Sequence, residues 1–188
     1  MFNYFLKNTI SAGKNNIEYD SSPHIKFMNI LELVSSFPLI NINENTIDYL
    51  NPKLSLRINP SDMKSYKNEN RQINNDNLFN INRLGLIDTL ESGQNLTFGL
   101  DYKKERVDNI NRYFELKLGT VLRSKENNNI PTNSTLNKKY SNYFGQITNN
   151  LNENIKLNYE FSINHDLDEI QYNSIGTSFT KNNFITTF

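Results

Sequence analysis

The chain has 188 residues, enough for one domain with a sizeable core. Its formal net charge is zero, which gives no electrostatic case for nucleic-acid binding, because such binders normally carry an excess of basic residues. Cysteine is absent, which excludes a disulfide framework and a thiolate metal site within this chain.

The chain shows no targeting segment. Its first ten residues, MFNYFLKNTI, hold one lysine and no sustained apolar core, so they lack the layout of a signal peptide. The richest apolar stretch, Ile30 to Ile42, is interrupted by Glu32, two serines and Pro38, and is too broken for a transmembrane helix. Two interpretations follow: a cytoplasmic protein, or an internal fragment whose targeting signal lies upstream.

The dominant pattern along the chain is alternation of apolar and polar residues, which is typical of strands with one apolar and one polar face. No segment keeps a helical period over its full length. The sequence therefore predicts an all-β, antiparallel up-and-down meander. We place about eight strands at 2–10, 24–42, 46–60, 93–104, 110–122, 140–150, 154–165 and 170–180, with Pro38 marking a break in the second.

Long and short links between these strands nearly take turns. The links 11–23, 61–92 and 123–139 are long, whereas 43–45, 105–109 and 151–153 are short. This rhythm is expected of an up-and-down barrel with tight turns at one end and extended loops at the other. The crossovers of a soluble sandwich vary and have no reason to keep it.

The first predicted hairpin folds 93–104 onto 110–122 about a turn near Val107. This register places Phe98 opposite Leu116, so that apolar residues meet across the pair, as a one-sided sheet requires.

The second predicted hairpin folds 140–150 onto 154–165 about Asn152. This register places Tyr159 opposite Gly145. An aromatic ring opposite a strand glycine covers the bare backbone.

The two faces of the predicted strands differ sharply. The polar face carries Arg57, Asp101, Glu115, Lys117 and Glu160. The apolar face carries Leu96, Phe98, Leu100, Phe114, Leu116, Leu118, Leu157, Tyr159 and Phe161. Because unpaired charge is costly to bury, the polar face either points outward from a sandwich core or lines a wide, wet lumen with the apolar face against lipid. The loop rhythm favours the membrane barrel, as do aromatic residues near strand ends that fit interfacial girdles, such as Tyr102, Tyr140, Tyr159 and Tyr172.

One stretch, NLFNINRLGLIDTLESGQNLTFGLDY at residues 77–102, resembles a characteristic stretch of the LPS-assembly protein family (LptD, also called OstA or Imp). The segments FPLININENTIDYLNPKLSLRINPSD and FELKLGTVLRSKENNNIPTNSTLNKKYSNYFGQI add to the resemblance, which covers about residues 37–180. The chain departs from the family pattern at Asn142, where Asp is usual, and at Leu84, where Phe or Tyr is more usual. The motif residues are Asn77, Leu78, Phe79, Asn82, Arg83, Gly85, Asp88 and Gly93, followed by the strand Leu96 to Leu100.

This resemblance implies transport rather than catalysis, without a cofactor. It implies that residues 1–188 are part of a large transmembrane β-barrel in the outer membrane that inserts lipopolysaccharide (LPS) into the outer leaflet. The implied partners are LPS, a plug lipoprotein of the LptE type inside the barrel, and a periplasmic bridge protein of the LptA type that acts through a domain absent here. It also implies an internal fragment, since the family's signal sequence, periplasmic β-domain and last strands do not appear in these residues.

Within the motif, we predict that Arg83 and Asp88 form an ion pair that folds the loop over or into the barrel, with Gly85 supplying a tight bend. The alternative is direct contact of this loop with ligand or plug.

Other hypotheses remain open at this stage. His165, Asp166, Asp168 and Glu169 suggest half of a hydrolase triad or a loose cation site, but a polar hairpin loop explains them better, because the spacing of a calcium-binding EF-hand and a nucleophile elbow are both missing. A different outer-membrane barrel of the porin, receptor or lipase type differs from the first choice only in the loop motif. A soluble β-sandwich binding module is the third alternative. An enzyme is the weakest hypothesis, because no constellation of acid, base and nucleophile emerges.

Overall fold

The computed structural model describes residues 1–14, 21–181 and 184–187. They form one ten-stranded antiparallel sheet with the order β1-β2-β4-β5-β6-β7-β8-β9-β10, in which β3 pairs beside β4. The predicted all-β meander is confirmed. The strands are β1 (Phe2–Ser11), β2 (His24–Ser36), β3 (Leu39–Ile42), β4 (Thr46–Asn59), β5 (Gly93–Arg106), β6 (Tyr113–Arg123), β7 (Tyr143–Asn152), β8 (Ile155–Ile163), β9 (Ile170–Lys181) and β10 (Phe184–Thr187), and a 3-10 helix spans Thr132–Ser134.

The described strands number ten rather than about eight for two reasons. The predicted strand 24–42 divides into β2 and β3 around Pro38, as its proline indicated, and β10 adds a short strand at the far edge. The break also accommodates a second proline. The amide of Phe37 donates to the carbonyl of Pro52 at 3.0 Å, so the missing N–H of Pro52 faces the gap between β2 and β3.

The connections leave the sheet at two different ends. The links 60–92 and 124–142 lie at what we call the long-loop end, whereas 43–45, 107–112 and 153–154 lie at the short-turn end. The hairpin 164–169 is no longer than 107–112, yet it belongs to the long-loop end. The predicted alternation of long and short links therefore holds for the loops 60–92 and 124–142, but it fails for the hairpin 164–169, which is short although it lies at the long-loop end.

The register predicted for the first hairpin is wrong by four residues. Phe98 lies opposite Thr120 rather than Leu116, and Leu100 lies opposite Leu118, because the turn is centred later in the chain than Val107. The error is an even number, so no side chain changes face.

The second hairpin is displaced in the same way, by two residues. Gly145 lies opposite Phe161, and the predicted partner Tyr159 lies opposite Ile147. A Cβ added at Gly145 would lie 2.0 Å from the Phe161 ring. The glycine is therefore covered by an aromatic ring, as predicted in kind, but the ring belongs to a different residue.

The register divides the sheet into two faces that match the predicted sets. All nine residues predicted on the apolar side share one face, here called the apolar face, and all five predicted polar residues share the other, the polar face. Two of the aromatics cited for girdles do not fit. Tyr172 lies on the polar face opposite Ser162, and Tyr159 lies in the middle of β8. The assignment of the faces to lipid and lumen stays a prediction.

The hydrophobic core lies on the polar face, between the sheet and the two large loops. The loops cover the sheet at the long-loop end and bond to each other, with Tyr66 N donating to Asn129 O at 2.8 Å and Thr132 N to Lys67 O at 3.2 Å. By contrast, no loop among the described residues packs on the apolar face, and Leu56 and Phe98 are each 40% exposed there. The buried core residues are Met63, Ile73, Leu78, Leu84, Leu86, Val121, Ile130, Leu136 and Phe144, with a smaller group of Met28, Ile30 and Leu90.

Candidate functional site

The start of the 77–102 stretch docks on a pair of strand glycines. Gly99 in β5 and Gly119 in β6 lie directly opposite each other on the polar face. A Cβ at Gly119 would lie 2.2 Å from Leu78 Cδ2, and one at Gly99 would lie 2.6 Å from the Phe79 ring. The two glycines therefore make the room that Leu78 and Phe79 occupy, which seats loop 60–92 against the sheet.

Other motif residues shape the loop itself. The Asn82 side chain donates to Leu86 O at 2.9 Å and accepts from Leu86 N at 3.0 Å, which closes a tight turn. Asn77 Oδ1 accepts from Asn74 N at 3.0 Å. Gly85 has φ of +62°, a conformation that favours glycine, so the predicted tight bend is present.

The predicted ion pair between Arg83 and Asp88 is wrong. Arg83 instead grips Glu91 with two bonds of 2.7 Å, from Nε to Oε2 and from Nη2 to Oε1. Asp88 bonds to Lys64 Nζ at 3.3 Å and to the hydroxyl of Tyr66. The two residues differ in burial: Arg83 is 3% exposed, whereas the Asp88 side chain is 19% exposed and pairs at the side of the loop with Lys64 and Tyr66. Burial and the Asp88 carboxylate together raise the pKa of Tyr66.

Glu91 is the hub of a buried arginine–glutamate cluster. Besides Arg83, it accepts from Arg123 Nη1 in β6 and from Asn95 Nδ2 in β5, the latter at 3.3 Å. Arg57 Nη1 in β4 lies 3.9 Å from Glu91 Oε2. Burial raises the pKa of Glu91. The guanidinium groups of Arg83, Arg123 and Arg57 have the larger, opposite effect and lower this pKa to about 2. Glu91 is therefore a permanent anion at physiological pH.

The cluster extends to β2 through a second carboxylate. Arg57 Nη2 donates to Glu32 Oε1 at 2.6 Å, and Glu32 lies opposite Arg57 in the β2–β4 register. Ser55 Oγ adds a bond to the same oxygen at 3.0 Å. We define the arginine–glutamate cluster as Glu32, Arg57, Arg83, Glu91 and Arg123, each at most 6% exposed.

Sequence reasoning found Arg57 and Arg83 but missed the other three members of this cluster. Glu32 interrupted an apolar stretch, which was a usable signal for a buried carboxylate with a partner. Arg123 shares its strand parity with Lys117, which placed it on the polar face. Glu91 left no local signal, because its partners come from three separate strands and from a loop residue eight positions away.

This geometry ties loop 60–92 to β4, β5 and β6 on the polar face. A buried carboxylate that neutralises several guanidinium groups has a fixed position, because each missing partner would leave an uncompensated buried charge. The arrangement is suited to holding the loop in place.

The polar face toward the short-turn end has a different character, because it is less covered: loop 60–92 reaches it through Phe79, whose ring centroid lies 5.2 Å from Lys53 Nζ. Lys53 pairs with Asp101 at 2.5 Å, and each side chain is 28% exposed. Lys117 pairs with Glu115 at 3.7 Å with similar exposure. This open half of the polar face presents paired, hydrated charges of both signs. Glu160 lies on the same face in β8 and lines a cavity.

The acidic hairpin at 164–169 is held by its own turn bonds. Asn164 Oδ1 accepts from the backbone amides of Asp168 at 3.1 Å and Glu169 at 3.2 Å. The ring of His165 stacks on Tyr140 with centroids 4.5 Å apart. Within the described part of the chain, no group of three His, Cys, Asp or Glu residues is arranged to hold a metal ion.

Comparison with known proteins identifies the family. No helix among the described residues is both long and apolar enough to cross a membrane. No curated protein matches the chain. The family model LptD, described as LPS transport system D, matches residues 12–187, which is nearly the whole chain and includes the loop motif and the arginine–glutamate cluster. The chain therefore belongs to the LptD family of LPS transport proteins.

Proposed function

We propose that this sheet forms part of the wall of an outer-membrane β-barrel that inserts LPS into the outer leaflet. The observation that carries the proposal is the contrast between the two faces. Within residues 1–14, 21–181 and 184–187, the apolar face is exposed and covered by no element, whereas the polar face holds the charged residues and the two large loops. In a membrane barrel the first face meets acyl chains and the second lines the lumen.

The soluble β-sandwich is less well supported, for a reason that concerns packing. A sandwich buries its apolar faces between two sheets. Here the loops and the core lie on the polar side, while large apolar residues stay exposed on the other: Leu33, Leu54, Leu56, Phe98, Phe114, Leu157 and Ile175. An exposed apolar surface that extends over successive strands is typical of a surface covered by lipid or by another protein, and lipid is what a barrel wall would meet.

The proposed orientation places the long-loop end at the cell surface, because outer-membrane barrels carry long loops outside and short turns on the periplasmic side. Loop 60–92 then covers the lumenal wall near the surface. The open half of the polar face, with Lys53, Asp101, Glu115 and Lys117, lies lower in the lumen. It is the part of the wall offered to LPS and to a plug lipoprotein of the LptE type.

The proposed role is transport without covalent chemistry. LPS would arrive from a periplasmic bridge protein of the LptA type, docked on a domain outside the residues described here. A hydrated lumen tolerates the sugar portion of LPS, and the lipid-facing wall borders its acyl chains. An amphiphile of that kind needs a polar path beside an apolar one, which the two faces of this sheet provide.

Single cysteines provide a clean test, because the chain contains no cysteine of its own. Lys117→Cys and Leu116→Cys are adjacent in β6 and lie on opposite faces. In outer-membrane vesicles bearing the full-length protein, we expect a water-soluble maleimide to label Lys117→Cys and to leave Leu116→Cys unlabelled. A membrane-soluble maleimide should reverse the preference.

A depletion strain provides the functional arm of the test. In this strain a repressible copy replaces the native gene. Repressing that copy should stop newly made, pulse-labelled LPS from reaching the cell surface. The proposed location in the outer membrane would be wrong if the protein fractionated with soluble material, or if both cysteines reacted equally with the water-soluble maleimide. Normal surface delivery of LPS after depletion would overturn the transport proposal while leaving the barrel intact.

A further inference from the structure

A cavity of about 270 Å³ lies at the long-loop end, away from the arginine–glutamate cluster. Loop 60–92 contributes Gln72 and Asn74, loop 124–142 contributes Asn142, and strands β8 and β9 contribute their polar face. Its volume is close to the lower limit of known small-molecule sites. The two large loops and strands β7, β8 and β9 thus converge on one polar recess.

The lining of this cavity is rich in amides. Asn142 Nδ2 donates to Gln171 Oε1 at 2.8 Å and to Ser162 Oγ at 2.8 Å. These bonds orient the Gln171 amide and leave its Nε2 group available as a donor. Side-chain amides both donate and accept, which matches a hydroxyl group that does the same. Tyr172 adds an aromatic ring beside them.

The charge of the lining narrows the ligand class. Among the described residues that line the cavity, Glu160 is the only one with a formal charge, and no lysine or arginine lies among them. Phosphate and carboxylate ligands are recognised by cationic groups and are repelled by a carboxylate. A neutral, hydroxyl-rich ligand avoids that repulsion, and its hydroxyl groups can donate to Glu160.

We propose that this cavity binds a neutral hexose-sized sugar ring. Its residues would select the uncharged part of a glycan over phosphorylated or acidic sugars. The origin of that ring in the LPS glycan rests on the proposed function, whereas the preference for a neutral sugar depends only on the cavity.

Saturation-transfer difference NMR tests the preference directly. The full-length protein, with its partners, is kept in a detergent without a sugar headgroup, because maltosides or glucosides would compete. The probes are methyl α-glucoside, methyl α-galactoside and glucose 6-phosphate. We expect signals from at least one neutral glycoside and none from the phosphate. Binding of glucose 6-phosphate as strong as that of the glycosides, or no binding of any probe, would overturn the proposal.

Two pairs of variants locate the binding. Gln171→Ala should weaken glycoside binding by about tenfold, the loss expected for one to two hydrogen bonds. Gln94→Ala changes another exposed glutamine, which lies outside the cavity, and should leave binding unchanged. Glu160→Gln should admit glucose 6-phosphate, whereas Glu153→Gln, in the short turn 153–154 at the other end of the sheet, should leave it excluded. Equal affinities in Gln171→Ala and the unmodified protein would rule out this cavity as the binding site.

A photo-crosslinking residue at position 171 in cells identifies the source of the sugar. Capture of pulse-labelled LPS supports the LPS glycan as the ligand. Glycoside binding in vitro without LPS capture would retain the cavity as a sugar site and contradict the proposed function, so the two failures are distinguishable.

Discussion

The two halves of the polar face contain the same kinds of charged side chain, but these side chains differ in burial and in the number of their partners. Under the loops, Arg83 and Glu91 are almost fully buried, and each carboxylate of the cluster is shared among several donors. Toward the short turns, Lys53 and Asp101 form a single pair with more than a quarter of each side chain exposed. Burial, rather than the presence of ion pairs, separates these two sets of charged residues.

The difference has an energetic meaning. Removing one partner of a buried charge cluster leaves the others uncompensated and costs about 3–5 kcal/mol, whereas an exposed pair contributes about 0–1 kcal/mol. The covered half is therefore fixed, and the open half can change its partners at little cost. The proposed barrel wall, which would hold a loop still and let a ligand pass, needs both behaviours.

Replacing Glu91, the hub of the arginine–glutamate cluster, should have the largest effect on the difference between the two halves. Glu91→Gln keeps the size of the side chain but leaves the buried guanidinium groups of Arg57, Arg83 and Arg123 without their shared anion. We expect loop 60–92 to undock, at a cost of about 3–5 kcal/mol to its closed state. Trypsin treatment of outer-membrane vesicles, followed by mass spectrometry, should then reveal cleavage after Arg83, which is shielded in the unmodified protein.

Glu115→Gln is the matched control for that experiment, since it removes one carboxylate from the open half of the same face. It should leave the bond after Arg83 resistant to trypsin. If Glu91→Gln also left that bond resistant, the cluster would not be what holds the loop.

Acid should weaken the covered half within a defined window. The pKa of Glu91 is about 2 in the folded protein, below its ordinary value of 4.5. A depressed folded pKa means that the carboxylate contributes its full stability above about pH 4.5 and loses it progressively as the pH falls toward 2. The heat-modifiability midpoint of the unmodified protein on gels should fall through this window. The part of that fall due to Glu91 should be absent in Glu91→Gln. If the two proteins had identical pH profiles, the titration of Glu91 would not contribute to the loss of stability in acid.

The local pattern of the sequence determined much of the fold. Strict alternation identified the face of every predicted wall residue, because the side-chain period of a strand is two regardless of register. Pro38 marked a real break for an equally local reason, its missing N–H. The hairpin registers failed, because the length of a turn is set by backbone bonds such as Arg112 N to Asn109 O at 2.9 Å.

The site was predicted less completely because its contacts are distant in the chain. The motif includes Leu78, Phe79 and Arg83, which contact the sheet, but the predicted partner of Arg83, Asp88, is wrong. Arg83 pairs with Glu91 instead, which lies two residues before β5 and accepts a hydrogen bond from Arg123 of β6. Such a meeting is a property of the sheet and not of any short segment.

A glycine substitution sharpens the contrast between the two faces of the wall. Gly119→Ala places a Cβ where Leu78 sits, and Gly145→Ala places one where Phe161 sits on the apolar face. Overpacking of either kind costs about 1–3 kcal/mol. We expect only Gly119→Ala to increase trypsin cleavage after Arg83, since only that change displaces the loop. Equal cleavage in both variants would mean that general loss of stability, rather than undocking, exposes the site.

The smallest effect is expected in the open half of the polar face. Asp101→Asn removes the partner of Lys53 but leaves the site hydrated, so it should cost at most about 1 kcal/mol. High salt should erase even that difference, because exposed charges are screened while buried ones are not. Heat-modifiability midpoints of the unmodified protein and of Asp101→Asn, measured in low and in 0.5 M salt (a concentration of roughly three times the physiological value), provide the check. A loss as large as that of Glu91→Gln, or one that persists in high salt, would mean that Asp101 is held as tightly as the buried cluster, and burial would no longer explain why the two halves differ.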